Sequence, residues 1–117
     1  MSRTVLIVDD HAAFRTSARA LLEADGWDVV GEASDGTSGV AAARELRPDV
    51  VLLDVRLPDA DGFDCAALLT SNGYRPAVVI TSSSDDPLYP DRATQCGACG
   101  FLAKHDVCGA ALDRLIR

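Results

Sequence analysis

The 117-residue chain carries 18 acidic against 11 basic residues, a formal net charge of −7 and a sequence pI near 4.5. Hydrophobic residues make up 48% and charged residues 25%, the balance of one folded domain able to bury about two thirds of its unfolded surface rather than of a disordered chain. The acidity argues against direct nucleic-acid binding, and the longest apolar runs, of four or five residues, are too short to cross a bilayer.

In chain order, Met1-Ser2-Arg3-Thr4 runs straight into an apolar segment and is read as leaving no room for a signal peptide, so a cytoplasmic location is expected. Val5–Val8 is continuous rather than alternating, the pattern of a strand buried on both faces of a parallel sheet. Phe14, Ala18, Leu21 and Leu22 share one face of a first helix. Asp28–Ala33 mixes Val29 and Val30 with Gly31 and Glu32 and reads as an edge strand, and Asp35-Gly36 opens a second helix. Val50–Leu53 is a third strand, Asp61-Gly62 opens a third helix, and Ala77–Ile80 is a fourth strand. Asp85-Asp86-Pro87-Leu88-Tyr89-Pro90-Asp91 holds two prolines, which suit a first turn and break an interior. The fourth helix is therefore expected to be short, to start near Pro90 and to be more mobile than the others. Phe101–Ala103 is a fifth strand, followed by a last helix with Val107, Ala111, Leu112, Leu115 and Ile116 on one face and Asp106 as N-cap.

The order is (βα)₅. Right-handed crossovers fold it into an α/β, doubly wound, three-layer sandwich, and five strands with one edge strand at position two suit the flavodoxin-like order 2-1-3-4-5. Residues 1–117 read as a single domain with no internal repeat, no linker and no second, output domain. Cys65, Cys96, Cys99 and Cys108 are read as reduced thiols acting as small apolar residues. Cys96-Gly97-Ala98-Cys99 has no second CxxC, and His11 and His105 lie far from it in sequence, so no zinc set is completed.

The chemistry collects at the strand ends. Asp9 and Asp10 close the first strand, Asp54 the third, Thr81 and Ser82 the fourth, and Lys104, the only lysine, the fifth. Singly, each has an ordinary explanation as a turn former, a helix cap or a solvated cation. In the 2-1-3-4-5 order, however, the first and third strands are neighbours, and three carboxylates meet in one small volume. Such packing raises pKa values and destabilises the fold unless a hard divalent cation joins them, and Mg²⁺ suits carboxylates plus waters and a phosphate.

The chain resembles the receiver domains of bacterial response regulators over essentially its whole length. The motifs are Val8-Asp9-Asp10-His11, the segment Leu53-Asp54-Val55-Arg56-Leu57-Pro58-Asp59-Ala60-Asp61-Gly62, Ile80-Thr81-Ser82 and Gly100-Phe101-Leu102-Ala103-Lys104. Asp9-Asp10-His11 and Val30-Gly31-Glu32-Ala33 are most similar to the branch that usually carries a helix-turn-helix output domain. The resemblance implies that Asp54 accepts a phosphoryl group from a histidine kinase or phosphotransfer protein. It also implies Mg²⁺ held by Asp9, Asp10, Asp54 and the backbone carbonyl of Arg56, charge neutralisation by Lys104, and a phosphoryl contact from Thr81. Phe101 would turn inward behind Thr81, changing the face formed by the fourth helix, fifth strand and fifth helix, with homodimerisation on activation as the expected consequence. Such a domain is not an enzyme beyond promoting its own phosphorylation and dephosphorylation.

Five positions bear on how closely the chain follows the family pattern. His105 stands where a proline after a cis bond is common, Ser82 where alanine is common, and Phe101 has no hydroxyl. Arg56 and Ser83 occupy positions that tune dephosphorylation. A module that keeps the fold but never takes phosphate would lack an acid, the lysine or the hydroxyl, and all are present. An aspartate-nucleophile phosphatase would place a second Asp where Arg56 stands, and no glycine-rich phosphate loop follows the first strand.

Overall fold

A computed structural model describes residues 3–71, 73, 76–84 and 86–116. The elements alternate strictly: β1 (Thr4–Val8), α1 (Ala12–Ala24), β2 (Asp28–Ala33), α2 (Gly36–Leu46), β3 (Val50–Asp54), α3 (Gly62–Thr70), β4 (Ala77–Ser82), α4 (Tyr89–Gln95), β5 (Gly100–Ala103) and α5 (Gly109–Ile116). All strand pairs are parallel and the order is β2-β1-β3-β4-β5, as the apolar runs imply.

The continuous runs are continuous because both sheet faces are covered. Leu6, Val8, Val51, Leu53, Val78 and Ile80 pack with residues of α2, α3 and α4, while Val5, Ile7, Val50, Leu52 and Val79 pack under α1 and α5. Most of these side chains are wholly buried, each contributing about 1.5–3 kcal/mol relative to exposure. β2 is an edge strand, and its register against β1 shifts between Val5 and Leu6, passing over Val30.

The third and fourth strands end at Asp54 and at Thr81–Ser82, the polar residues expected to close them, whereas Asp9 and Asp10 follow β1 and Lys104 follows β5. Two local expectations are revised. Leu21 is 51% exposed, because the buried face of α1 centres on Ala18 and Leu22 and leaves Leu21 at its margin. Asp106 does not cap the last helix. Lys104–Asp106 form a 3₁₀ turn closed by Val107 N–H on Lys104 O, and α5 begins only at Gly109. There the Gly109 N–H donates to Asp25 Oδ2 at 2.8 Å, a cap from the end of α1 that a Cβ at 109 would obstruct.

The fourth helix has seven residues with Pro90 in its first turn, short as expected and starting one residue before Pro90; Asp85 lies outside the described residues. No peptide bond among the described residues is cis, so the Lys104–His105 bond is trans. Cys65 is buried in the core, Cys96 and Cys108 are half-buried, and Cys99 is exposed, so the small-apolar role fits Cys65 best and Cys99 not at all. Among the described residues no helix is long and apolar enough to cross a membrane.

Candidate functional site

Register places the site. Val8 pairs with Leu53, Asp54 with Thr81, and Ser82 with Ala103, so β1, β3, β4 and β5 end along one edge of the sheet. Asp54 and Thr81 continue the alternation of Val50, Leu52 and Val79, whose side chains pack under α1 and α5. Asp9 is wholly buried, Asp54 is 4% and Thr81 1% exposed, while Asp10 lies at the surface.

Backbone bonds hold Asp9 in place. Its N–H donates to Ala33 O at 3.0 Å, and Arg15 Nη1 donates to its carbonyl at 2.7 Å. Its carboxylate accepts the His11 N–H at 2.8 Å through Oδ1. The Lys104 ammonium lies 2.6 Å from Asp9 Oδ2 and 3.3 Å from Asp54 Oδ2, with its side chain 13% exposed and its nitrogen 4.8 Å from the Phe14 ring centre. Burial pushes the Asp54 carboxyl above its ordinary pKa, the Asp9 charge adds to this, and Lys104 works in the opposite direction.

Asp9, Asp10, His11 and Asp54 each present a ligand atom, all within 4.8 Å of one another. Asp9 Oδ2 receives no directed hydrogen bond among the described residues, the ammonium approaching it as a charge off the hydrogen-bonding direction. Two buried carboxylates and a surface one around such an oxygen fit a hard divalent cation. Arg56 faces Asp61 in an isolated antiparallel bridge flanked by Leu57 N–H to Ala60 O and Gly62 N–H to Val55 O. In that kind of pair the middle residue's own N–H and C=O point away from its partner. The Arg56 N–H turns to Asp54 Oδ1 at 3.4 Å, and its side chain is exposed.

The loop between β3 and α3 is pinned from several sides. Val55 N–H donates to Thr81 O at 3.0 Å. A Cβ at Gly62 would come within 2.1 Å of the Asp54 carbonyl oxygen, so only glycine permits this closeness. Asp61 caps α3 through the Phe63 N–H at 2.7 Å. Asp59 reaches across to α2, accepting from Gly36 N–H at 2.7 Å, Thr37 N–H at 3.0 Å and the Thr37 hydroxyl at 2.7 Å. Those bonds, the hydroxyl's first, lower its pKa to about 2. Asp35 caps the same helix through Ser38 N–H, as the Asp-Gly pair suggested.

Thr81 Oγ1 is buried and has no hydrogen-bond partner among the described residues. Phe101 pairs with Ile80 across the β4–β5 ladder and packs its half-buried ring on Tyr89 of α4, centroids 5.9 Å apart. Tyr89 in turn meets Phe63 at 5.7 Å, and the Arg92 guanidinium lies 4.1 Å from the Phe63 ring centre and 3.5 Å from Asp61. Ser82 Oγ accepts the Ser84 N–H at 2.9 Å. Sequence reasoning assigned no part to Asp59, Tyr89 or Arg92. A buried tyrosine between two prolines was the one available hint; the partners of Asp59 lie 22 and 23 residues away, beyond any local pattern.

A doubly wound parallel sheet with acids ending β1 and β3, a hydroxyl ending β4 and a lysine after β5 defines a response-regulator receiver domain. Residues 5–111 match the family model for that domain, and the chain belongs to the family, a signalling domain of two-component response regulators rather than a classical enzyme. It is 38% identical over 106 residues to the transcription regulator BvgA of Bordetella pertussis, covering 91% of this chain and 51% of that protein. It is 41% identical over 115 residues to the response regulator GacA of Pseudomonas aeruginosa, covering 97% of this chain and 51% of that one. The chain thus spans about half the length of the curated relatives it matches. The signal receiver domain of the response regulator NarL from Mycobacterium tuberculosis superposes with a TM-score of 0.88 at 35% identity, covering 97% of this chain and 96% of that one.

Proposed function

We propose that Asp54 is the phosphoacceptor of this receiver domain, supplied by a phosphohistidine on a histidine kinase or phosphotransfer protein. The observation that carries this reading is the pairing, on adjacent strands, of the buried Asp54 carboxylate with the unpartnered Thr81 hydroxyl. A buried hydroxyl without a partner costs about 1–3 kcal/mol, a cost relieved once it donates to a phosphoryl oxygen.

An Asp54 carboxylate oxygen attacks phosphorus in line. The bond from phosphorus to the donor's imidazole nitrogen breaks, its electron pair returning to the ring, which takes up a proton, and an acyl phosphate is left on Asp54. Lys104, already 3.3 Å from Asp54, works against the burial that disfavours the anionic carboxylate and then donates to the added phosphoryl oxygens. Asp9, Asp10, Asp54 and the Arg56 carbonyl would hold Mg²⁺, which when bound supplies positive charge against the phosphoryl oxygens.

Thr81 moves toward the phosphoryl group, and Phe101 fills the space it leaves. Having no hydroxyl, Phe101 acts by packing, and its contact with Tyr89 carries the change into α4. The α4–β5–α5 face would then serve homodimerisation or an output partner. The relatives that are transcription regulators extend to about twice this length, and control of transcription through an output domain is the corresponding role here.

Intact mass after incubation with Mg²⁺ and acetyl phosphate tests the reading. One phosphoryl adduct is expected, absent from Asp54→Asn and prevented by chelating the metal. Folded wild-type protein that takes no adduct from acetyl phosphate or from a phosphohistidine donor would overturn it.

A further inference from the structure

Lys104 is the only lysine in the chain, and the proposed chemistry asks one flexible side chain to stay at the site while its surroundings change. Among the described residues four groups meet its ammonium. Asp9 Oδ2 lies at 2.6 Å, Asp54 Oδ2 at 3.3 Å and His11 Nδ1 at 3.3 Å, and the nitrogen stands over the Phe14 ring, 4.8 Å from its centre. The two carboxylates supply most of the attraction.

Those carboxylates are also the groups that a divalent cation would bind. Such an ion shares their charge and repels the ammonium, so the hold on Lys104 weakens just when it is needed at the phosphoryl oxygens. The Phe14 face is different in kind. It attracts a cation through the ring quadrupole and has no anionic oxygen or lone pair to give a metal. Its pull on the ammonium therefore persists whatever the carboxylates bind.

Local structure aims the ring. Phe14 stands in the first turn of α1, and helical side chains tilt toward the helix N-terminus, here the end that follows Asp9 and Asp10. The ring is half-buried and packs against the cluster that includes Val5, Ile7, Leu22 and Leu52, which limits its freedom to swing away.

We propose that Phe14 is a positioning residue for phosphoryl transfer, its ring face holding the Lys104 ammonium beside Asp54 while a divalent cation occupies the carboxylates. The inference rests on the phosphoacceptor reading and deepens it. A core role alone asks only for an apolar side chain of suitable size; a positioning role asks for an aromatic face.

The single lysine makes the test clean, because lysine labelled with ¹³C gives one Cε methylene signal from the purified chain. The ring current of an aromatic face moves those protons upfield. The upfield position is expected in wild type, in Phe14→Tyr and in His11→Gln, with and without saturating Mg²⁺, and is lost in Phe14→Leu. Phosphorylation by acetyl phosphate at saturating Mg²⁺, followed by intact mass, should slow about three- to tenfold in Phe14→Leu and recover in Phe14→Tyr. The Mg²⁺ concentration for half-maximal rate should change by less than about twofold, since the ring touches no proposed metal ligand. Phe14→Met serves as the second non-aromatic variant if Phe14→Leu folds poorly.

A wild-type methylene at the ordinary lysine position, or one that returns there when Mg²⁺ is added, overturns the positioning role without recourse to any variant. So does a folded non-aromatic variant that loses the shift yet phosphorylates at the wild-type rate, or Phe14→Tyr that is as slow as Phe14→Leu. Each of these outcomes leaves Asp54 standing as the phosphoacceptor. Folded wild type that takes no phosphoryl group from acetyl phosphate or a phosphohistidine donor overturns both.

Discussion

Asp54 is held in a place that suits its chemistry better than its stability. Burial and the neighbouring Asp9 charge raise its pKa above the usual 3.8, so the charged carboxylate is disfavoured in the folded chain. The sign follows from linkage. A carboxyl raised on folding stabilises the fold while protonated and loses that contribution as pH rises through its folded pKa. Without divalent cation, Asp54→Asn should therefore raise the melting temperature at neutral pH by a few degrees and bring no gain below pH 3.8, as thermal melts across that range would register. Added Mg²⁺ should stabilise wild type and not Asp54→Asn, by about 2.7 kcal/mol at a hundredfold excess over Kd. Thr81 makes a parallel case: Thr81→Val exchanges an unpartnered buried hydroxyl for an isosteric methyl. It should be stabilised by up to about 1–3 kcal/mol in chemical denaturation, while the phosphoryl-dependent change in the α4 signals of an NMR spectrum is lost.

Single elements owe their ends to distant residues. The Asp59 carboxylate, with a pKa of about 2, holds the first turn of α2 to the loop that follows Asp54. A depressed carboxyl contributes stability above its ordinary pKa and loses it as pH falls through the folded value, here from 3.8 toward about 2. Asp59→Asn should flatten the stability–pH profile in that window and lower stability above it. Gly62 lies where that same loop crosses the Asp54 carbonyl, and Gly62→Ala should cost about 1–3 kcal/mol from overpacking, with a slower phosphorylation rate as the nucleophile is displaced. The fourth helix, seven residues with Pro90 in its first turn, has few backbone N–H groups to bond within the helix. It should exchange its amide hydrogens fastest of the five helices, and Arg92→Ala, which removes its hold on Phe63 and Asp61, should speed that exchange further.

At the scale of the whole molecule, one edge of the sheet gathers Asp9, Asp54, Thr81 and Lys104, and one side of α4 is exposed to solvent. A dimer formed through the α4–β5–α5 face should appear in sedimentation only with a phosphoryl mimic bound, and an unchanged monomer under saturating mimic would rule out that route. The order of strands, the two-sided burial of β1, β3 and β4, and the gathering of Asp9, Asp54, Thr81 and Lys104 all follow from the chain alone. Continuous apolar runs allow few parallel arrangements, and each polar residue stands one step beyond a run whose direction is set by right-handed crossovers. The particular partners were decided only in three dimensions. Asp25 capping α5 in place of Asp106, Asp59 capping α2, and Tyr89 seated between Phe63 and Phe101 join residues 12 to 84 positions apart. So does the His11 ring drawn between two carboxylates and an ammonium that lies 93 residues away. Local spacing encodes which face a side chain leaves; which charge or ring it meets there depends on helix ends and loops that only the packed sheet brings within reach.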